Sequence, residues 1–214
     1  MKEMVIGCSW SGGKDSCYAL MKARAEGHEL KALVNMMNEN GRISRSHGLP
    51  LAVLTQQAQK MDVPLLAMPT SWNDYRDTFV RTLASAKLLG VQAMVFGDID
   101  LQQHRDWEEM VCSESGLEAL LPLWQQNRRV LVNEMIESGI NAMIVSCNTQ
   151  MGERFLARTI THELADELEG MGIDACGENG EFHTVVVDCP LFESAIELPE
   201  YKKVLHDNYW FLNW

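Results

Sequence analysis

The sequence predicts an α/β fold in which a parallel sheet is covered by helices on both faces. Short apolar runs alternate with helical patterns along most of the 214 residues, the order that builds parallel sheets. Between the first two apolar runs lie about a dozen helical residues, the length that a parallel crossover needs. The residues richest in chemistry follow directly on the apolar runs, where an open parallel sheet gathers its ligands.

Taken in order, "MVIGCSW" (4–10) reads as the first strand and "SCYALMKARAEG" (16–27) as a helix closed by Gly27. "LKALVNMMN" (30–38) is a second strand, "GLPLAVLTQQAQKMD" (48–62) a helix after its proline, and "VPLLAMPTS" (63–71) a third strand. Over 73–89, Tyr75, Phe79, Leu83 and Ala86 share one helical stripe. "QAMVFGDID" (92–100) is a fourth strand with acidic residues at its carboxyl end. A helix from His104 to Glu114 follows, and "GLEALLPLW" (116–124) leads out of the first unit. A helix over 127–138 stops at Gly139, "NAMIVSCN" (141–148) is a further strand, and 160–171 is a helix ending at Gly170 or Gly172. Then "GIDACGENGEFHTVVVDCPLFE" predicts a loop and a β-segment ended by Pro190. A boundary falls near residue 125, with no flexible composition to mark it and no internal repeat on either side.

Hydrophobic residues at 46% with 22% charged describe a globular chain, not a disordered one. The net charge of -12 disfavours nucleic acid, whose non-specific binding relies on phosphate neutralisation, without excluding a local basic groove. No apolar run approaches the roughly 20 residues of a membrane span. Lys2 is the only basic residue before "MVIGCSW", and Gly-Gly-Lys-Asp interrupts where a signal peptide needs its apolar core, so a cytoplasmic location is expected. Cysteines at 8, 17, 112, 147, 176 and 189 form no C-x-x-C pair, which argues for reduced core residues over zinc or redox motifs.

"SGGKDS" (11–16) lies between the first strand and its helix. The common phosphate-loop spacing fails twice: Cys8 stands where a glycine belongs, and Asp15 where Ser or Thr would hold magnesium. Gly12 and Gly13 allow a tight turn close to an anion. The helix N-terminus, the hydroxyls of Ser11 and Ser16 and the cation of Lys14 aim donors at the same spot. Asp15 is costly there unless it caps the helix or meets magnesium on a polyphosphate. Asn35, Gly97 and Asp98 stand at the other strand ends as candidate nucleotide contacts. Asp98 reads as a metal ligand or ribose partner, and Asp100 either joins it and His104 at a metal or caps the next helix. Arg45 and His47 occupy a polar loop, either solvated or meeting phosphate or an acidic substrate. Glu178, Glu181 and His183 are candidate proton acceptors, unless "GENGEFH" is a solvated turn. Alternation about Phe182 would set Glu181 beside His183, where the carboxylate raises the histidine pKa.

The loop resembles the motif of the PP-loop ATP pyrophosphatases, the adenine nucleotide α-hydrolase-like proteins, which cut ATP between its α- and β-phosphates. With "HGLPLAVLTQQAQKMDVPL" (47–65), "VFGDID" (95–100), "PLW" (122–124) and "GENGEFHTVVVDCPLF" (177–192), the chain resembles their diphthine–ammonia ligase type over almost its whole length. That resemblance implies a Rossmann-like nucleotide domain at 1–125 and a smaller C-terminal α+β domain at 126–214 that completes the active site. It implies an enzyme that activates a carboxylate, of a small molecule or a protein side chain, with ATP and Mg2+ as an acyl-adenylate, for attack by ammonia supplied as ammonium; the residues leave the oligomeric state open, a homo-oligomer included. The residues expected to hold ATP are Ser11, Gly12, Gly13, Lys14, Asp15, Ser16, Asn35, Gly97 and Asp98, with Asp15 and Asp98 on magnesium. Those expected to carry the chemistry are Lys14, Asp15, Glu178, Glu181 and His183. Asn179 and His183 depart from the Gly-Glu-Gly-Gly-Glu-Phe/Tyr-Glu-Thr pattern of that type, and "SRSHG" (44–48) from its aromatic-rich segment. The chain thus resembles a bacterial-type relative, where diphthamide is not expected and the chemistry carries over better than the substrate. Two other classes compete. An adenylating transferase acting on tRNA would want a basic face and catalytic cysteines; a nucleotide sensor would bind ATP or AMP and leave it intact.

Overall fold

The computed structural model describes residues 3–214; Lys2, used in the N-terminal reading above, lies outside the described residues. β1 (Val5–Ser9), α1 (Lys14–Ala25), β2 (Glu29–Met37), α2 (Leu51–Lys60), β3 (Leu65–Pro69), α3 (Tyr75–Leu88), β4 (Ala93–Val95), α4 (Gln102–Ser115) and β5 (Glu118–Leu120) follow in turn. Their strands form one parallel sheet in the order β3-β2-β1-β4-β5. Strand periodicity divides the helices between its faces. Leu33 points into an apolar cluster with Leu20 of α1 and Leu54 of α2, while Val34 points into one with Phe79 and Leu83 of α3 and Val111 of α4. The predicted α/β architecture, with helices on both faces of a parallel sheet, is what forms.

The chain then builds α5 (Arg128–Glu137), β6 (Asn141–Asn148), α6 (His162–Gly170), β7 (Phe182–Asp188), β8 (Lys202–His206) and β9 (Tyr209–Asn213). These strands make a second, antiparallel sheet in the order β7-β6-β9-β8. The first apolar cluster continues into it through Ile144, Val185 and Leu212, so one core runs beneath both sheets.

Three elements differ from the sequence reading. β4 ends at Val95, and Phe96 to Asp100 leave the sheet as loop. β5 returns to the parallel sheet as its edge, pairing with β4, rather than leading away. The β8–β9 hairpin was not read at all, although Asp207-Asn208 is a two-residue turn with Asp207 at φ +50, and such residues tolerate that region. Among the described residues no helix is long and apolar enough to cross a membrane.

β1 lies between β2 and β4, and the chain order reverses across it. A parallel sheet opens a crevice at the carboxyl ends of the strands flanking such a point. The loops after β1 and β4 both lead there.

Candidate active site

A cavity of about 720 Å³ opens at that point, lined by Lys14, Asp15, Asp98, Glu108, Glu178 and His183 among others. A narrower recess of about 120 Å³ adjoins it under β1 and β2, and the two share Ser9, Ser11, Ser46, Trp72, Tyr75 and Phe79.

The 11–16 loop is held by its own hydroxyls and by the second half of the chain. Gly13 N–H donates to Ser11 Oγ, Ser16 Oγ donates to the Gly13 carbonyl, and the two serine hydroxyls lie 3.0 Å apart. Gly12 sits at φ +84. A Cβ on Gly12 would come within 2.6 Å of Leu49, and one on Gly13 within 2.4 Å of His47. Having no side chain, both glycines admit neighbouring protein, and neither lines the cavity. Gly97 is required in the same sense, since its Cβ would lie 2.6 Å from Ser16 N.

α1 begins at Lys14, with Gly13 at the N-cap and no side-chain cap, so Asp15 does not serve there. Lys14 is 3% exposed. Its backbone N–H donates to Thr184 Oγ1 at 3.1 Å, and its ammonium donates to both Asp15 oxygens and to the Cys176 carbonyl. Burial acts to lower its pKa, but Asp15, Cys176 and Glu178 outweigh it and hold the ammonium above its usual range. Asn35 donates to the Trp10 carbonyl, and its Oδ1 is buried without a partner beside the narrower recess. Arg45 lines that recess too, stacked 4.7 Å from the Trp72 ring and donating to the Thr70 carbonyl.

The 174–183 segment differs from expectation in two ways. Glu181 turns into its own loop, accepting from the backbone N–H groups of Asp174 and Asn179 and from the Asn179 side chain, and does not line the cavity. It fastens a turn, and no Glu181–His183 pair forms. His183 instead stacks on His47 with ring centroids 4.6 Å apart. Burial, His47 and Lys14 push the His183 pKa down to about 3, the reverse of the expected rise. Burial and Lys14 likewise lower His47 to about 4. His47 Nδ1 meets the Thr184 carbonyl at 2.9 Å, so it carries the hydrogen and leaves Nε2 as acceptor. Glu178 keeps a place on the cavity, and burial followed by Asp15 and Asp98 raises it to about 8.

Arg128, which the sequence reading passed over, secures this turn. Its guanidinium donates to Asp100, Asp174 and Asn179. Asp100 thus pairs with Arg128 and does not cap α4, whose N-cap is Leu101. Asp98 accepts from His104 Nδ1 at 2.7 Å. Burial acts to raise the Asp98 pKa, and its bonds from His104 and Glu108 outweigh that and lower it. Among the described residues no group of three or more His, Cys, Asp or Glu converges to hold a metal, so the Asp98–Asp100–His104 arrangement does not form. Magnesium on a polyphosphate asks less, one or two carboxylates with phosphate and water supplying the rest. Asp15 and Asp98 fit that requirement, since both line the cavity with oxygen donors in reach of solvent.

Nor did the sequence single out the wall opposite the loop. Tyr75, Phe79, Phe96 and Trp107 line the cavity there in mutual contact, and Glu108 lies among them. Tyr75 and Phe79 signalled only an apolar helix face, and nothing in "DWEEM" distinguishes a cavity glutamate from a solvated one.

The chain's likeness to known proteins agrees with this layout. The diphthamide synthase N-terminal domain matches residues 1–119, and the diphthamide synthase C-terminal domain residues 127–214. Diphthine–ammonia ligase of Homo sapiens is 28% identical over 92% of this chain and 83% of its own length. That of Schizosaccharomyces pombe is 30% identical, covering 92% of this chain and 36% of itself. A crystal structure described as a predicted subunit of tRNA methyltransferase from Methanocaldococcus jannaschii is 14% identical, with a TM-score of 0.47, over 87% of this chain and 98% of that one. That last likeness is too loose to bear on fold or function. The two domain matches span nearly every residue, and on them the chain belongs to the diphthamide synthase family.

Proposed function

We propose that the protein is an AMP-forming carbon–nitrogen ligase that activates a carboxylate with ATP and magnesium and passes the acyl group to ammonia. The observation that carries this reading is a single cavity with the 11–16 loop on one wall and Glu178, raised to about 8, on another. The names of its curated relatives, diphthine–ammonia ligases, support it.

A carboxylate resists attack because it is a poor electrophile with a poor leaving group; joining it to AMP with loss of pyrophosphate supplies a good one. Backbone N–H groups at the start of α1, Ser11, Ser16 and Lys14 would offset charge building on the departing pyrophosphate. Lys14 would exchange Asp15 and the Cys176 carbonyl for phosphate oxygens, freeing Asp15 for magnesium. Asn35 Oδ1, unpartnered, is available to a nucleotide donor. Ammonia then forms the C–N bond while the C–O bond to AMP breaks with its electron pair on AMP. Starting from ammonium, two protons leave, one before attack and one after it. Glu178 suits that task, since a base is most effective near the working pH. His183, at about 3, is too weak a base to take a proton from ammonium; its neutral ring is suited to hydrogen bonding instead. Glu181 acts by holding the turn that carries Glu178.

Exchange of labelled pyrophosphate into ATP, screened over a set of carboxylates, tests the first step alone. We expect carboxylate-dependent exchange, with AMP and pyrophosphate as products once ammonium is added. ADP and phosphate as main products would refute adenylation, and bound ATP that stays intact would favour a sensor.

A further inference from the structure

The aromatic wall runs inward from the mouth of the cavity. Trp72, Tyr75 and Trp107 all line it, with ring centroids spaced 5.8 Å and then 5.7 Å. Successive ring planes are inclined by 32° and 41°, so the three rings present one shallow face. Phe79, only 2% exposed, backs that face, 6.2 Å from Tyr75 and 5.0 Å from Trp107. At the mouth Trp72 is 74% exposed, yet its turn is pinned. Asp74 accepts from the Ser71 N–H and hydroxyl, and Arg45 donates to the Thr70 carbonyl with its guanidinium over the Trp72 ring. A large aromatic surface fixed in water at a cavity mouth gains from burial only when a ligand covers it.

Adenylation brings two organic molecules to this one cavity. ATP is drawn by its phosphates to the 11–16 loop, which leaves the aromatic wall for the acid. The charged end of that acid is repelled by Asp98 and attracted by Lys14 and the start of α1, so its uncharged body is what lies against the rings. Aromatic faces gain from offset stacking on a flat ring beyond what buried area alone gives, and a puckered saturated ring forgoes that gain. A cationic body fits the mouth poorly, since the Arg45 guanidinium already lies over Trp72. We infer that Trp72, Tyr75 and Trp107 seat the body of the carboxylate substrate, and that this substrate is an aryl acid, its carboxylate joined directly or by a short chain to a flat aromatic ring. The inference rests on the ligase reading for the identity of the occupant, but binding of the acid is measured without turnover.

Phenylacetate and cyclohexylacetate share a carbon skeleton and differ in ring saturation, so the pair reads the seat. In pyrophosphate exchange, phenylacetate is expected to show a kcat/KM about fivefold or more above cyclohexylacetate. Equal values, or a preference for the saturated ring, overturn the inference. Trp107 lines the larger cavity and not the narrower recess. Trp107→Leu should therefore raise KM for phenylacetate about tenfold and leave KM for ATP within about twofold. A rise in KM for ATP alone would put the nucleotide base on this wall and overturn the inference. Trp72→Ala changes an exposed side chain, keeps the test open should Trp107→Leu fail to fold, and should bring the ratio of the two acids toward one. An unchanged ratio in Trp72→Ala counts against the seat as well. Calorimetric titration of both acids into the protein saturated with magnesium and α,β-methylene-ATP, which cannot be cut at that bond, separates the two readings. Preferred binding of phenylacetate without exchange by any acid would sink adenylation and leave the seat. Exchange without a preference for the flat ring would keep adenylation and sink the seat, and so would failure of either acid to bind.

Discussion

The surroundings of Glu178 and Glu108 raise their pKa values, while those of His47 and His183 lower theirs, and the pairs act on stability in opposite senses. The glutamate pKa values rise from 4.5 to about 8 and about 11, so their contribution is full below 4.5 and is lost as pH rises toward those values. The histidine values fall from 6.5 to about 4 and about 3, so their contribution is full above 6.5 and is lost as pH falls. Between 4.5 and 6.5 the folded chain has gained two glutamate protons and given up two histidine protons, and the four groups cancel. They therefore predict a stability plateau there, with losses on both sides of up to about 1.4 kcal/mol per proton per pH unit. Thermal melting against pH checks this: Glu108→Gln should flatten the alkaline arm, and a His47→Gln, His183→Asn double variant the acid arm. Glu178→Gln should cost amide formation about 100-fold or more while sparing pyrophosphate exchange, which an effect on general base catalysis requires. Equal loss in both assays would place Glu178 in adenylation. The loop was legible from sequence because its chemistry is local, six residues between a strand and a helix. The histidine stack was not, since it depends on partners far along the chain, His47 meeting His183 across 136 positions (183 − 47).

Helices and parallel strands were legible because their apolar periodicity is dictated by burial on known faces. α2 begins directly after Pro50, and β6 spans Asn141 to Asn148 as read. What misled was the turn at 174–181. Strand alternation was extended back into it, but the backbone there bends through Gly177 and Gly180, both at positive φ, so Glu181 never shares a face with His183. The shape of that turn comes from α5 through Arg128, a contact invisible to periodicity. Replacing Arg128 by Met should leave Asp174 and Asp100 without their cation and loosen the turn. We expect a modest loss of stability, about 1–2 kcal/mol, because the charges are partly solvated. The kinetic cost should be larger, as Glu178 loses its fixed position relative to the nucleotide loop. If melting and amide formation are both unchanged in Arg128→Met, the turn is held without Arg128, by the Glu181 and Asp174 carboxylates that accept its backbone N–H groups and by the Tyr209 hydroxyl that donates to the Gly180 carbonyl. Gly97→Ala tests the opposite wall. Its Cβ meets backbone at Ser16, which cannot give way as a flexible side chain could, so the end of β4 must shift from α1. Weaker ATP binding is expected, read by calorimetry.

At the scale of the whole molecule, the division near residue 125 is a proposal about topology, and stability follows a different line. The apolar core under β1 and β2 continues beneath β6 and β7, and polar bonds cross at the nucleotide loop itself. Val186 N–H donates to the Gly12 carbonyl, and Thr184 receives the first amide of α1. Gln57, fully buried on α2, donates to the carbonyls of Gly12 and Val186 and accepts from the Trp10 indole. Gln57→Leu would leave these groups unpaired at about 1–3 kcal/mol for each buried one, and should weaken nucleotide binding and lower the melting temperature together. Because one core serves both sheets, a calorimetric scan should show one cooperative transition for the full chain. Binding of ATP with magnesium should shift that whole transition, by about 2.7 kcal/mol at a hundredfold excess over Kd. Two transitions, with only the first moved by nucleotide, would show instead that the second sheet folds alone and merely leans on the loop. In that case Thr184, His183 and Glu178 would be positioned by docking rather than by folding, and Gln57→Leu would cost binding without moving the second melt.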